Sequence, residues 1–189
     1  DACVERLFAL QARFHDPGPA APVDHRANHA LARRAAAASC VLLKNQGGLL
    51  PLMGGQRIAV LGALARQPLY QGAGSSGVVP TRLVSAWEAL AEALPPDRLL
   101  YAQGYAQSDL EAEDALLAEA IDTAGEADLA VVFAGLPRAY ESEGFDRDHM
   151  DLPPSHNALI QAACGACPQV VVVLSNGAPV AMPWLDGVG

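Results

Sequence analysis

Runs of apolar residues alternate with helical patterns along most of the chain. Four short runs are apolar almost throughout, at residues 57–62, 98–104, 128–135 and 169–177, with the sequences RIAVLG, RLLYAQG, DLAVVFAG and QVVVVLSNG. Strands that are buried on both faces have this composition, whereas a half-exposed strand alternates polar and apolar residues. Each of the four runs therefore predicts a buried β-strand.

The segments between these runs carry apolar residues at helical spacing. They predict helices over residues 81–94, 108–127 and 153–164, with Thr81 and Ser108 near the N-caps of the first two. Strands that alternate with helices are typical of a parallel sheet covered by its crossover helices. The predicted fold class is α/β, a mostly parallel sheet with helices on both faces, which is an α/β sandwich.

The N-terminal part of the chain has a different pattern. A short amphipathic helix is predicted over residues 1–14, and the three prolines and one glycine of HDPGPAAPVDH, residues 15–25, predict a linker. A strong helical pattern then runs from Asn28 to about Leu43. We therefore expect a helix and linker at residues 1–27, followed by the α/β domain at residues 28–189.

Composition narrows the classes of function. A chain of 189 residues with 51% hydrophobic and 17% charged residues fits one globular domain, and its apolar runs are too short to cross a membrane. Its net charge of −9 disfavours nucleic acid as a partner. Cys164 and Cys167 have redox spacing, but they fall late in a predicted helix, so buried and unreactive thiols are the preferred interpretation.

Topology places three unusual loops together. The carboxyl ends of parallel strands share one edge of a sheet, where ligands bind. The loops that follow the first, third and fourth predicted strands must meet there, and their sequences are GALARQPLYQGAGSSG, LPRAYESEGFDR and SNGAPVAMPW. The segment YESEGFDRDHMDLP, residues 140–153, brings five carboxylates to this edge.

The residues alone leave several interpretations of these loops open. GAGSSG, residues 72–77, formally matches a dinucleotide-binding motif, although about ten residues separate it from the strand end at Gly62. The acidic loop is either a solvated surface in which Glu143 and Arg147 pair across a turn, or a site in which one carboxyl serves as a general acid. The spacing does not choose between Glu141 and Glu143 for that role.

Five segments, taken in order, resemble one known family. ARRAAAASCVLLKNQGGLLPL, RIAVLG, GAGSSGVVPT, VVFAGLPRAYESEGFDRDHMDLPPSHNALI and VVVVLSNGAPVAMPW are similar to the C-terminal α/β-sandwich domain of glycoside hydrolase family 3, the β-glucosidase family. The likeness extends from about His29 to Trp184. VERLFALQARFHDPG, residues 4–18, also resembles the end of the family's N-terminal (β/α)8 barrel and the linker behind it.

The resemblance implies a retaining glycosidase whose site lies between the two domains. The acid/base is then the Glu of the E-G-[FY]-D-R segment, here Glu143, with Glu141 in reserve. Ser75, Ser76, Asp146 and Arg147 are implied as substrate-binding or site-shaping residues. The implied partners are a β-glucoside or related oligosaccharide and the barrel of the same protein, while no organic cofactor and no metal are implied.

The departures from the family pattern are also informative. The family's nucleophilic Asp belongs to the barrel, and its motif is not found in this chain, so the chain alone is expected to be inactive. The family continues beyond MPW, so we expect the α/β domain to be incomplete at Gly189. The compartment is left open, with the missing signal-like start slightly favouring the cytoplasm.

Two other classes of function remain as alternatives. The domain could be a non-catalytic carbohydrate-binding or docking module, which an upstream region without a nucleophile-bearing barrel would favour. It could also bind a nucleotide through GAGSSG, in which case NAD or ATP would shift its melting temperature.

Overall fold

The structure is a computed structural model that describes residues 1–14, 18, 21–52, 54–72, 75, 77–107, 112–144 and 146–189. The chain forms two compact units, Asp1–Val41 and Leu42–Gly189. No helix in the described part of the chain combines the length and apolar character that a membrane span requires. The domain boundary at residues 27 and 28 stays a prediction.

The first unit contains two helices, α1 (Ala2–Arg13) and α2 (His25–Ser39). Each begins at an aspartate that accepts a backbone hydrogen bond: Asp1 from Cys3 N at 3.0 Å and Asp24 from Ala27 N at 2.9 Å. The Asp24 cap explains why α2 begins before the predicted Asn28. The helix also ends earlier than Leu43, because the backbone is already extended at Cys40.

The second unit contains one parallel sheet of four strands. The strands are β1 (Ile58–Leu61), β2 (Leu99–Ala102), β3 (Leu129–Gly135) and β4 (Val170–Ser175), in the order β2-β1-β3-β4. All three pairings are parallel, with Ile58 opposite both Leu99 and Leu129, and Ala130 opposite Val170. The four apolar runs thus form the predicted parallel sheet.

Helices cover both faces of the sheet. They are α3 (Ala86–Ala93), α4 (Asp114–Gly125) and α5 (Pro154–Ala166). Helices α4 and α5 pack with Leu61 and Val132 in one core, while Trp87 and Leu90 of α3 pack on the opposite face. Successive strand residues point to opposite faces, so strands that are covered on both sides must be apolar at every position. This arrangement is the predicted α/β sandwich.

Two helices begin later than the sequence predicts. Helix α3 begins at Ala86 rather than near Thr81, because Ser85 and Glu88 form a capping box: Glu88 N donates to Ser85 Oγ at 3.2 Å and Ser85 N to Glu88 Oε2 at 2.7 Å. The predicted cap Ser108 lies outside the described residues. Helix α4 itself begins at Asp114.

At the carboxyl edge of the sheet, the residues that follow β1 and β2 contact β3 closely. Gly62, directly after β1, has a φ of 105°, and a Cβ there would collide with the carbonyl oxygen of Phe133 in β3. Tyr105, after β2, donates from its hydroxyl to the same carbonyl at 2.8 Å and accepts from Leu64 N at 3.3 Å. These contacts fix the positions at which the functional loops leave the sheet.

Candidate active site

The loops after β1, β3 and β4 surround one wide cavity. It has a volume of about 840 Å³ and is open to solvent. Most of its lining comes from the acidic loop, which we define as residues 137–153, with smaller parts from the other two loops. The lining residues are Gly72, Ser75, Tyr140, Glu141, Ser142, Glu143, Asp146, Arg147, Asp148, His149, Met150, Gly177 and Ala178.

Glu143 lies exposed at the turn of the acidic loop. The turn includes Gly144, whose φ of 77° favours glycine. The Glu143 carboxylate accepts one long hydrogen bond, from Ser75 N at 3.4 Å, so that the loops after β1 and β3 meet at this side chain. Ser75 therefore contributes its backbone N–H at this contact, and the predicted Ser76 lies outside the described residues.

Glu141 is held more tightly than Glu143. It is half-buried, and its Oε1 accepts from Gly177 N in the loop after β4 at 2.8 Å. A Cβ on Gly177 would lie 3.2 Å from that oxygen, so the carboxylate and the backbone approach each other closely. The two glutamates therefore differ in environment: one is anchored to a neighbouring loop and the other faces the cavity.

Arg147 also connects the acidic loop to the loop after β4. Its Nη2 donates to the carbonyl oxygen of Pro179 at 2.7 Å, while Nη1 is buried and has no hydrogen-bond partner among the described residues. The sequence placed Arg147 within reach of Glu143, but in the described part of the chain the guanidinium forms no ion pair. Asp146 is exposed and lines the cavity beside it.

Further contacts join the acidic loop to the loop after β4, anchor the loop after β4 to α5, and pack two rings within the acidic loop. Ala181 N donates to the carbonyl oxygen of Met150 at 2.8 Å, and Trp184 Nε1 donates to Asn157 Oδ1 at 3.0 Å. The rings of Tyr140 and His149 pack edge to face, with centroids 5.1 Å apart. The sequence analysis assigned no role to Tyr140 or His149, although both lie in the acidic segment, because spacing does not show that their rings pack together. It assigned none to Gly177 because that contact depends on the pairing of two distant loops.

The arrangement is suited to proton transfer. An exposed carboxyl at the edge of a cavity can donate or accept a proton at a bound group. Among the described residues, no group of three or more His, Cys, Asp or Glu side chains is placed to hold a metal ion. The described residues that line the cavity include several carboxylates and one guanidinium, that of Arg147.

Two other motifs were candidates for different chemistry. Burial raises the pKa of both the Cys164 and the Cys167 thiols, which opposes the thiolate form that redox chemistry requires. The described residues 78–85, which come after GAGSSG, form no helix, since α3 begins only at Ala86. Within these described residues, no helix N-terminus directly follows the motif to hold a pyrophosphate.

Comparisons with known proteins agree with this fold. The model of the glycosyl hydrolase family 3 C-terminal domain matches residues 40–188. The thermostable beta-glucosidase B of Acetivibrio thermocellus is 48% identical over 169 residues, which cover 89% of this chain and 22% of that protein. An exo-alpha-(1->6)-L-arabinopyranosidase of Bifidobacterium longum is 43% identical over 172 residues, which cover 85% of this chain and 22% of that protein.

A solved structure gives the same result. The crystal structure of a family 3 glycoside hydrolase beta-glucosidase from Bifidobacterium adolescentis superimposes with a TM-score of 0.82 at 41% identity, covering 88% of this chain and 24% of that one. The chain thus spans less than a quarter of the length of these three relatives. On the family model and these identities, the chain belongs to glycoside hydrolase family 3, and its residues 40–188 form the family's C-terminal domain.

Proposed function

We propose that this chain supplies the general acid/base of a retaining β-glycosidase, of the β-glucosidase kind, and that Glu143 is that residue. The observation that carries the assignment is the contrast between the two glutamates. Glu143 is exposed to the cavity and accepts one hydrogen bond at 3.4 Å, whereas Glu141 is anchored by Gly177 N at 2.8 Å. A proton donor must reach the leaving oxygen, so the less restrained carboxyl suits the role.

The reaction requires a second carboxylate that a further domain would supply. In a retaining glycosidase one carboxylate attacks the anomeric carbon while the other, about 5–5.5 Å away, protonates the leaving oxygen and then deprotonates water. We propose that an N-terminal (β/α)8 barrel of the same protein carries the nucleophile. The exposed apolar side chains of α1 and of its C-cap residue support this, because they suit packing against such a domain: Val4, Leu7, Phe8, Leu10 and, at the C-cap, Phe14.

The other residues of the cavity have supporting roles in this proposal. Arg147 and Glu141 fix the acidic loop through Pro179 and Gly177, and Asp146 shapes the wall beside them. The Ser75 N–H orients the Glu143 carboxylate. The substrate in this proposal is a terminal β-linked sugar, which is consistent with the relative that is named as a beta-glucosidase.

The test compares Glu143→Gln with Glu141→Gln in the full-length protein that carries this domain. Glu143→Gln is expected to lower kcat/KM by about 10² to 10⁴ for alkyl glucosides and oligosaccharides, whose leaving groups need protonation. Dinitrophenyl glucosides, whose leaving groups depart unprotonated, should lose much less in the first step. Glu141→Gln is the matched control because it removes the same charge from the same loop.

Rescue by azide distinguishes the loss of the general base from a general disturbance of the active site. Azide attacks the glycosyl-enzyme directly and needs no general base, so it should accelerate Glu143→Gln on dinitrophenyl glucosides and yield the glycosyl azide. If Glu141→Gln shows the leaving-group dependence and the rescue instead, Glu141 is the acid/base. If neither variant loses activity, the domain is a non-catalytic module.

A further inference from the structure

A second and smaller cavity lies at the point where the sheet reverses its strand order. β1 connects to β2 on one side and β3 connects to β4 on the other, so the crevice between the ends of β1 and β3 is a topological switch point, where ligands of α/β sheets commonly bind. The cavity has a volume of about 190 Å³ and shares no lining residue with the candidate active site. We refer to it as the switch-point cleft.

Two stacked rings form the floor of the switch-point cleft. Tyr105 and His156 are 1% and 4% exposed, and their ring centroids are 3.9 Å apart at an interplanar angle of 34°. The Tyr105 hydroxyl is engaged on both sides, by Phe133 O at 2.8 Å and Leu64 N at 3.3 Å, and burial raises its pKa. The Tyr105 hydroxyl is therefore not free to bind a ligand, and the residue contributes only its ring surface to the cleft.

His156 supplies the free donor of the cleft. Its Nδ1 accepts from Gly135 N at 3.2 Å, so the proton of the neutral ring resides on Nε2. Burial lowers the pKa of His156 to about 4, which keeps the ring neutral at physiological pH. No described residue accepts a hydrogen bond from Nε2–H, and the side chain lines the cleft. A donor at the surface of the cleft is available to an acceptor from a ligand or a water molecule.

The rim of the cleft is cationic and its walls are apolar. The exposed guanidinium of Arg138 forms no ion pair with a described residue, and the Gln107 amide N–H is already engaged with Gln67 O at 3.0 Å. Leu64, Leu69 and Pro137 supply apolar surface, and no described acidic side chain lines the cleft. The free donors of the cleft are therefore His156 Nε2–H and the Arg138 guanidinium, and Arg138 is the one charged side chain among the described residues that line it.

We propose that the switch-point cleft binds a small monocarboxylate, which accepts hydrogen bonds from His156 Nε2–H and Arg138 and packs its apolar part on Leu64 and Leu69. The volume sets the size of the ligand. At about 30 Å³ of liquid volume per water, the cleft is as large as roughly six waters, and it is smaller than the roughly 300–1,000 Å³ of drug-sized sites. This site is independent of the glycosidase proposal, because it needs neither Glu143 nor a second domain.

The test uses benzoate as the probe and benzamide as its uncharged counterpart of the same shape. An NMR titration of the 189-residue chain at pH 7 and constant ionic strength should give saturable shifts at the amides of Leu64, Tyr105 and Gly135. A dissociation constant on the order of 1 mM is expected for so small a ligand, with benzamide at least tenfold weaker. Equal binding of the two probes would overturn the assignment of a carboxylate site.

Two substitutions locate the binding. Arg138→Gln, at an exposed position, should weaken benzoate about tenfold, whereas Arg33→Gln removes the same charge from α2 and should leave benzoate binding unchanged. His156→Gln keeps an N–H donor and should weaken binding less than His156→Phe. The proposal fails if benzoate causes no saturable shift at ten times the expected dissociation constant, since the cleft then holds water alone. It also fails if Arg138→Gln binds benzoate as the unsubstituted chain does.

Discussion

The candidate active site and the switch-point cleft lie at the same edge of the same sheet, yet they are built in opposite ways. The active-site cavity is wide and lined by exposed carboxylates, which neighbouring loops hold through backbone hydrogen bonds such as Gly177 N to Glu141. The cleft is small, and its floor is two buried, neutral rings packed against β3. On the proposed function, chemistry at the open cavity therefore depends on a second domain, whereas the cleft is formed within this domain alone.

The largest expected effect is the loss of glycosidase activity when the domain with the open cavity is assayed without a second domain. The 189-residue chain should hydrolyse aryl β-glucosides at no measurable rate, because a general acid alone contributes only about 10² to 10⁴ to a reaction that also requires a nucleophile. Steady-state assays of the purified chain, beside the full-length protein, measure this directly. Turnover by the chain that disappears in its Glu143→Gln variant would contradict the proposed division of labour.

The next effect compares glycines of positive φ in the two regions. Gly62→Ala, beside the cleft, should lower the free energy of unfolding by about 3 kcal/mol or more, because the new methyl collides with backbone atoms of Phe133 in addition to the unfavourable φ. Gly144→Ala, in the acidic loop, meets nothing within 4 Å and should cost about 1 kcal/mol for its φ alone. Urea unfolding measures both.

Gly165→Ala is the control for these glycine variants. Gly165 lies within α5 with nothing near its added methyl, so alanine should stabilise by about 0.5–1 kcal/mol. A cost at Gly144 equal to that at Gly62 would mean that the acidic loop is packed as closely as the edge of the cleft.

The two regions also differ in how far the sequence predicts them. The sheet was predictable because each strand carries its own local signal, and the loops after β1, β3 and β4 then had to be neighbours. The cleft carries no local signal: Leu64, Tyr105, Pro137 and His156 come from four separate segments. His156 in particular lies in PPSHNALI, which predicts only an amphipathic helix.

The choice between the two glutamates shows the same limit within the acidic loop. They are two residues apart, so spacing does not predict which of them is the acid/base. Their environments differ because Gly177, which is 36 positions from Glu141, donates its N–H to one carboxylate and not to the other. Information of that kind is carried by tertiary contacts and not by a motif.

The buried histidine should make stability depend on pH in the cleft region. Its pKa falls from 6.5 to about 4 on folding, so the unfolded chain takes up a proton between these values that the folded chain does not. Stability is therefore fully present above pH 6.5 and is lost as the pH falls toward 4, by about 3 kcal/mol in total. Urea unfolding at pH 7 and pH 4 measures the loss.

His156→Gln isolates this contribution from that of the many carboxylates. The variant should lose about 3 kcal/mol less than the unsubstituted chain between pH 7 and pH 4, since all other titrating groups are shared. Between pH 7 and pH 8 the difference between the two proteins should stay constant, because the histidine is neutral in both states there. Parallel losses down to pH 4 would show that the ring is accessible to water and protons.

The smallest expected effect distinguishes the two glutamates by stability alone. Glu141→Gln weakens a charge-assisted hydrogen bond of 2.8 Å at a half-buried site and should lower the free energy of unfolding by less than about 1 kcal/mol. Glu143→Gln disturbs only a 3.4 Å contact at an exposed site and should have no measurable cost. Both variants remove one negative charge from the same loop, so the relief of repulsion among its carboxylates cancels in the comparison.

The Gly177 amide resonance should shift in Glu141→Gln and not in Glu143→Gln. A larger cost for Glu143→Gln would mean that its carboxylate holds the loop in place, which would remove the reason for preferring it as the proton donor.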